Sequence, residues 1–170
     1  RTGDLREKQF ESMVSATKRV RDYAQNITFF DQPGISLLRL GAVVRQVSAQ
    51  RKIDLVVIDY LQLLQAEKTY SREREVSAIS SSLVALARGN GVPVVALSQL
   101  NQVGDIRESQ AVKHDAYGVI LIKYDQDEFP EDTSDVPADI GVVKHRNGML
   151  GRVPVTFERS LGRFVERRGW

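Results

Sequence analysis

Two segment ends carry the side chains best suited to chemistry. Asp59 closes the run Asp54-Leu55-Val56-Val57-Ile58-Asp59, a continuous apolar stretch bracketed by acids, and Ser98-Gln99 closes Val94-Val95-Ala96-Leu97. Both runs read as strands buried on both faces of a parallel sheet, and ligands gather outside the carboxyl ends of such strands. A carboxylate there can hold the hydration shell of Mg²⁺ beside a nucleotide, because hard cations take oxygen ligands on a rigid element. The plainer reading of Asp59 is a cap on the following turn. Gln99 can hydrogen-bond a phosphate or an attacking water, or it is a polar edge residue. The usual companion of such an acid is the loop Gly-x-x-x-x-Gly-Lys-Ser/Thr, whose amides cradle phosphates. None of the twelve glycines is followed by Lys, so spacing alone describes an incomplete nucleotide site.

Composition closes off other chemistries. The 170 residues contain no cysteine and two histidines, His114 and His145, so a zinc site would rest on carboxylates, an unusual donor set. No apolar run approaches the roughly 18 residues of a membrane span, and the expected location is cytoplasmic, with no membrane partner. With 42% hydrophobic and 27% charged residues, the chain reads as one globular domain or part of a larger one. The net charge of +2 hides an asymmetry: Asp125, Asp127, Glu128, Glu131, Asp132, Asp135 and Asp139 form an acidic stretch without a base, leaving the rest strongly basic. A basic body suits a polyanionic partner or is simply a solvated surface.

The elements that must position these residues follow from periodicity. Phe10, Met13, Val14, Thr17, Val20 and Ala24 share one helix face, with Asp4 and Glu7 in capping-box positions. Ile27-Thr28-Phe29-Phe30 reads as a short strand stopped by Asp31-Gln32-Pro33-Gly34. Ser36 caps a second helix carrying Leu37, Leu40, Val43, Val44 and Val47. Residues 71–90 form a third helix with Val76, Ile79, Leu83, Leu86 and Ala87 inward, stopped at Asn90-Gly91. A short polar helix at 108–115 precedes a strand at 118–122, and the acidic stretch 125–139 reads as a loop. Strands at 140–144, 153–157 and 163–165 are joined by hairpin-like turns at 146–148 and 160–162. The fold class is α/β, a mainly parallel sheet flanked by helices with antiparallel C-terminal hairpin strands.

Four segments in order carry a resemblance: Ile58-Asp59-Tyr60-Leu61-Gln62-Leu63-Leu64; Val92-Pro93-Val94-Val95-Ala96-Leu97-Ser98-Gln99-Leu100-Asn101; Asp105-Ile106-Arg107-Glu108-Ser109; and Lys144-His145-Arg146-Asn147-Gly148. Together they resemble the motifs of the DnaB-type replicative DNA helicase motor domain, over nearly the whole chain. The resemblance implies a RecA-like fold that, in intact members, assembles into a homohexameric ring coupling ATP hydrolysis to 5′-to-3′ movement along single-stranded DNA, with primase and a helicase loader as further partners in a bacterial or phage-infected cytoplasm. Asp59 matches the Walker B acid associated with Mg²⁺ through water. Gln99 matches the motif linking nucleotide state to the DNA loops. Arg107, Glu108 and Gln110 match a DNA-facing loop, and Lys144 and Arg146 match the basic pair that reaches the γ-phosphate bound by an adjacent subunit.

The same resemblance implies that residues 1–170 are the C-terminal portion of a motor domain. The family's Walker A loop and the strand bearing its catalytic glutamate precede the matched region, so the chain alone is expected to bind ATP and Mg²⁺ weakly and not to hydrolyse ATP. Gln110 stands where the family has a glycine, Tyr117 replaces an acid, and the stretch between Asn101 and Asp105 is short. On the residues alone, Arg107 and Glu108 are also an ordinary exposed helix-start pair, Arg146 an ordinary hairpin residue, and Tyr60, Tyr70 and Tyr117 either base-stacking or rim packing. Other functional classes compatible with the pattern are another RecA-like ATPase, of recombinase or KaiC-like type, and a non-catalytic protein that binds DNA or a helicase ring.

Overall fold

A computed structural model of the chain describes residues 7–32, 34–66, 71–100, 110–124 and 135–167. The chain divides into two compact units, residues 1–33 and residues 34–170. The first holds helix α1 (Glu7–Ala24). Among the described residues of that unit there is no second helix or strand, and the apolar stripe of Phe10, Met13, Val14 and Val20 stays exposed. The strand expected at 27–30 does not form; those residues lie in neither helix nor strand. The reason is pairing: a β-prone segment becomes a strand only against a partner, and the described residues of this unit hold no other strand.

The second unit opens with α2 (Leu37–Gln50), capped as its sequence predicts, with the Ser36 hydroxyl accepting from the Arg39 amide at 3.3 Å. Strand β1 (Val56–Ile58) follows. A 3-10 turn at Leu61–Leu63 leads to α3 (Arg72–Asn90), which Ser71 caps and Gly91 ends at φ +62°, a left-handed conformation that glycine adopts without steric cost. Strand β2 (Val94–Ala96) pairs parallel with β1, Val56 against Val94 and Ile58 against Ala96. The core of this part is Ile58, Leu61, Leu64, Ile79 and Leu83, with Ile35, Leu40, Val56, Val94 and Val112 packed around it. Helix α3 thus buries Val76, Ile79 and Leu83, the face its periodicity marked as inward.

Helix α4 (Gln110–Asp115) then feeds a four-stranded antiparallel meander of β3 (Gly118–Tyr124), β4 (Asp135–His145), β5 (Gly151–Glu158) and β6 (Arg163–Glu166), in that spatial order. The meander is a sheet of its own rather than an extension of β1–β2. Strand β4 also begins within the acidic stretch, at Asp135, so the loop expected through Asp139 ends earlier. Pro137 lies within β4 opposite Thr156 of β5. Phe157, Phe164 and Tyr124 cluster across β3, β5 and β6, with the two phenylalanine rings 4.8 Å apart. No described helix is long and apolar enough to cross a membrane.

Candidate functional site

Asp59 and Gln99 follow the ends of parallel neighbours, β1 and β2. With Ile58 opposite Ala96, both chains leave the sheet at the same carboxyl edge, and the ladder continues there: Leu97 donates to the Ile58 carbonyl and Leu61 to the Leu97 carbonyl, each at 2.9 Å. Both side chains are exposed, and the Asp59–Tyr60 peptide is cis. An exposed carboxylate on this rigid edge is the oxygen donor a hydrated Mg²⁺ needs, so the residue present fits that role. Among the described residues no group of three or more acids and histidines gathers to hold a metal by itself.

A third residue ties this edge together, and its role was not read from the sequence. Gln62, on the 3-10 turn after Asp59, donates from Nε2 to the Ser98 hydroxyl at 3.2 Å, and Ser98 donates on to the Gln99 carbonyl at 3.3 Å. Arg72 at the start of α3 donates to the Gln62 carbonyl at 3.3 Å and pairs with Glu75 at 2.7 Å. The buried Gln62 Oε1 has no hydrogen-bond partner among the described residues. Gln62 lies inside the motif-bearing run 58–64, which was the available signal; which strand it would reach was not encoded there.

Lys144 and Arg146 occupy the other sheet, at the end of β4 and in the turn after it. Register explains how they come together. Val119 pairs with Lys144 but Ile120 with Val142, so Val143 is an extra residue, a bulge that resets the alternation of β4. Lys144 therefore registers with Val119 instead of continuing the row of Val142, Ile140 and Ala138. Its ammonium donates to the carbonyls of Lys113 and His114 at 2.6 and 2.7 Å, and the Arg146 guanidinium donates to that of Asp115 at 3.2 Å, with His114 at the 3.5 Å margin. Both cations thus rest on the C-terminal carbonyls of α4, groups a helix leaves without internal partners. Arg146 also donates its backbone amide to the Tyr117 carbonyl at 3.1 Å, and the Tyr117 ring meets the His145 ring edge-on at 5.8 Å.

An ammonium has three donors and a guanidinium five. Each cation therefore keeps N–H groups beyond those given to α4, and Arg146 is exposed. Gln110 is the exposed first residue of α4. Arg107, Glu108 and Tyr70 lie outside the described residues. The structure thus places Asp59 and Gln99 after neighbouring strand ends of one sheet, and holds Lys144 and Arg146 on adjacent α4 carbonyls beside the other.

The model of a family described as DnaB-like helicase C terminal domain matches residues 1–166. The replicative DNA helicase DnaB of Leifsonia xyli subsp. xyli is 32% identical across 98% of this chain, and the replicative DNA helicase DnaC of Bacillus subtilis is 33% identical across 99%. The chain spans only 38% and 40% of the lengths of these two relatives. Among solved structures, one described as an ATPase domain superposes with a TM-score of 0.80 at 30% identity, covering 97% of this chain and 62% of that one. A DnaB-like replicative helicase described with its interactions with primase gives a TM-score of 0.79 at 30% identity, covering 95% and 42%.

Proposed function

The chain belongs to the DnaB-like helicase C-terminal domain family, and from that premise we propose that it is the C-terminal part of a replicative helicase motor, coupling ATP hydrolysis to translocation on single-stranded DNA and unwinding of duplex. The observation that carries this reading is the shared carboxyl edge of β1 and β2, where an acid and a glutamine follow neighbouring strand ends. Such an edge is where open α/β sheets receive nucleotides.

In this reading Asp59 orients the hydration shell of Mg²⁺, which when bound supplies charge neutralisation to the phosphates. Gln99 offers its amide to a phosphate or to the attacking water, and its position beside Ser98 and Gln62 lets the occupied edge be felt along the chain that follows. Lys144 lies at the end of β4 and Arg146 in the turn after it, on a different sheet from Asp59, and both serve the nucleotide of a neighbouring subunit in a homohexamer. Positive charge arriving across an interface stabilises phosphoryl transfer only when the ring is assembled. Arg107, Glu108 and Gln110 precede or begin α4 and face single-stranded DNA. Primase and a loader are the protein partners, the relatives being replicative helicases and one solved neighbour having been described with primase. The 170 residues alone do not turn over ATP, because the phosphate-cradling loop is not among them.

The test is Asp59→Asn in the full-length protein, a change of charge at nearly constant volume. ATP hydrolysis is expected to vanish while rings still form; normal turnover would reduce Asp59 to a strand cap.

A further inference from the structure

We propose that the last turn of α4, with the residues that lead out of it, is a positioning device for the Lys144–Arg146 pair, setting where that pair can meet phosphate. The proposal rests on the reading that the pair serves the nucleotide of a neighbouring subunit. Three kinds of contact converge on one short segment. Lys144 spends two of its three donors on the carbonyls of Lys113 and His114, and Arg146 grips that of Asp115. The backbone amide of Arg146 is held by Tyr117, and the His145 ring leans on the Tyr117 ring. The turn carrying both cations is thus fastened to residues 113–117 on both sides of His145.

Two like charges two residues apart repel, and free lysine and arginine side chains sample many rotamers. The α4 carbonyls answer both costs: oxygens with partial negative charge accept from both charged heads and hold them, while at least one N–H on Lys144 and several on Arg146 remain for an anion. A cation already fixed reaches a transition state without reorganising, the condition under which charge stabilisation is most effective. Displacement of α4 moves both groups together. Helix α4 starts at Gln110, directly after the Arg107-Glu108 segment, so the chain that leads into the device is the one expected to face DNA.

The acceptors are backbone carbonyls, so the test acts on the backbone. Ala116 donates its amide to the Val112 carbonyl at 3.1 Å, closing the last turn of α4. Ala116→Pro removes that donor and pushes Asp115 out of the helical region, turning its carbonyl away from Arg146. In full-length rings, kcat for ATP is expected to fall about 100-fold, the scale of a misplaced reacting group. KM should stay within about twofold, because the subunit's own nucleotide edge is on the other sheet. Adding Ala116→Pro to a Lys144→Ala, Arg146→Ala double variant should cost nothing further, since α4 acts through those two side chains. Wild-type kcat in Ala116→Pro, or a further loss when it is added to that double variant, would overturn the device. If Ala116→Pro does not assemble, Ala111→Gly, which loosens the short helix from within while keeping its amides, is expected to lower kcat at least about threefold at constant KM, and wild-type kcat there overturns the proposal equally. Full turnover by Arg146→Ala alone removes the premise and the device with it, whereas loss in Arg146→Ala with full turnover in Ala116→Pro sinks the device and leaves the premise standing.

Discussion

The ring of His145 fills the space that a side chain on Gly148 would need: a Cβ on Gly148 falls within the van der Waals envelope of the His145 Nδ1 and Cε1 atoms. His145 separates the two cations in sequence and leans on Tyr117, so the glycine is required here by room rather than by a left-handed backbone. Gly148→Ala is expected to force the exposed ring off Tyr117 and destabilise the protein by about 0.5–1.5 kcal/mol, the worth of an aromatic pair. In a His145→Ala chain the same change should cost little. Denaturant unfolding of the four proteins in the cycle measures it, and strictly additive effects would show that ring and Cβ do not compete.

The Gln62–Ser98 bond joins the turn after β1 to the end of β2 at modest thermodynamic cost. Because Gln62 Oε1 is buried without a partner among the described residues, Gln62→Leu removes one neutral hydrogen bond and relieves one unpaired acceptor. Stability is expected to change by no more than about 1 kcal/mol. ATP turnover in the full-length protein should nevertheless fall, because Gln99 loses the neighbour that fixes Ser98. A loss above about 3 kcal/mol by thermal unfolding would mean that Oε1 is satisfied.

Ile79 is 1% exposed on α3 and packs in the cluster beneath β1, whereas Leu38 on α2 is 82% exposed. Ile79→Ala should cost about 2–5 kcal/mol through lost burial and the cavity left behind. Leu38→Ala should fall within about 0.5 kcal/mol of the parent, as surface changes do. Equal effects at the two positions would contradict the assignment of the core.

Service of Arg146 to a neighbour has a direct signature. Arg146→Ala and Asp59→Asn full-length subunits, each inactive alone, are expected to recover hydrolysis when mixed, because some interfaces then join an intact Asp59 edge to an intact Arg146. The single Arg146→Ala loss should be on the order of 10³-fold. Mixtures that exchange subunits yet stay inactive, and that also show no graded response to wild-type subunits, would assign the arginine to its own chain.

What the sequence by itself determined is what a few neighbouring residues can encode. Ser36 announced one helix and Gly91 ended another, since caps act over three or four residues. The burial face of α3 was legible from the spacing of Val76, Ile79 and Leu83. So was the parallel pairing of the runs that end before Asp59 and Ser98, since two apolar runs joined by a helix pair in parallel. Tertiary structure decided the rest. Residues 27–30 have strand chemistry but form no strand, while Asp135 and Pro137 have loop chemistry but pair with β5. The bulge at Val143 turned Lys144 onto α4, and the carbonyls that hold it lie 30 and 31 residues away in the chain. Register and long-range acceptors are set by which surfaces pack together, a property of the folded whole that no local pattern carries.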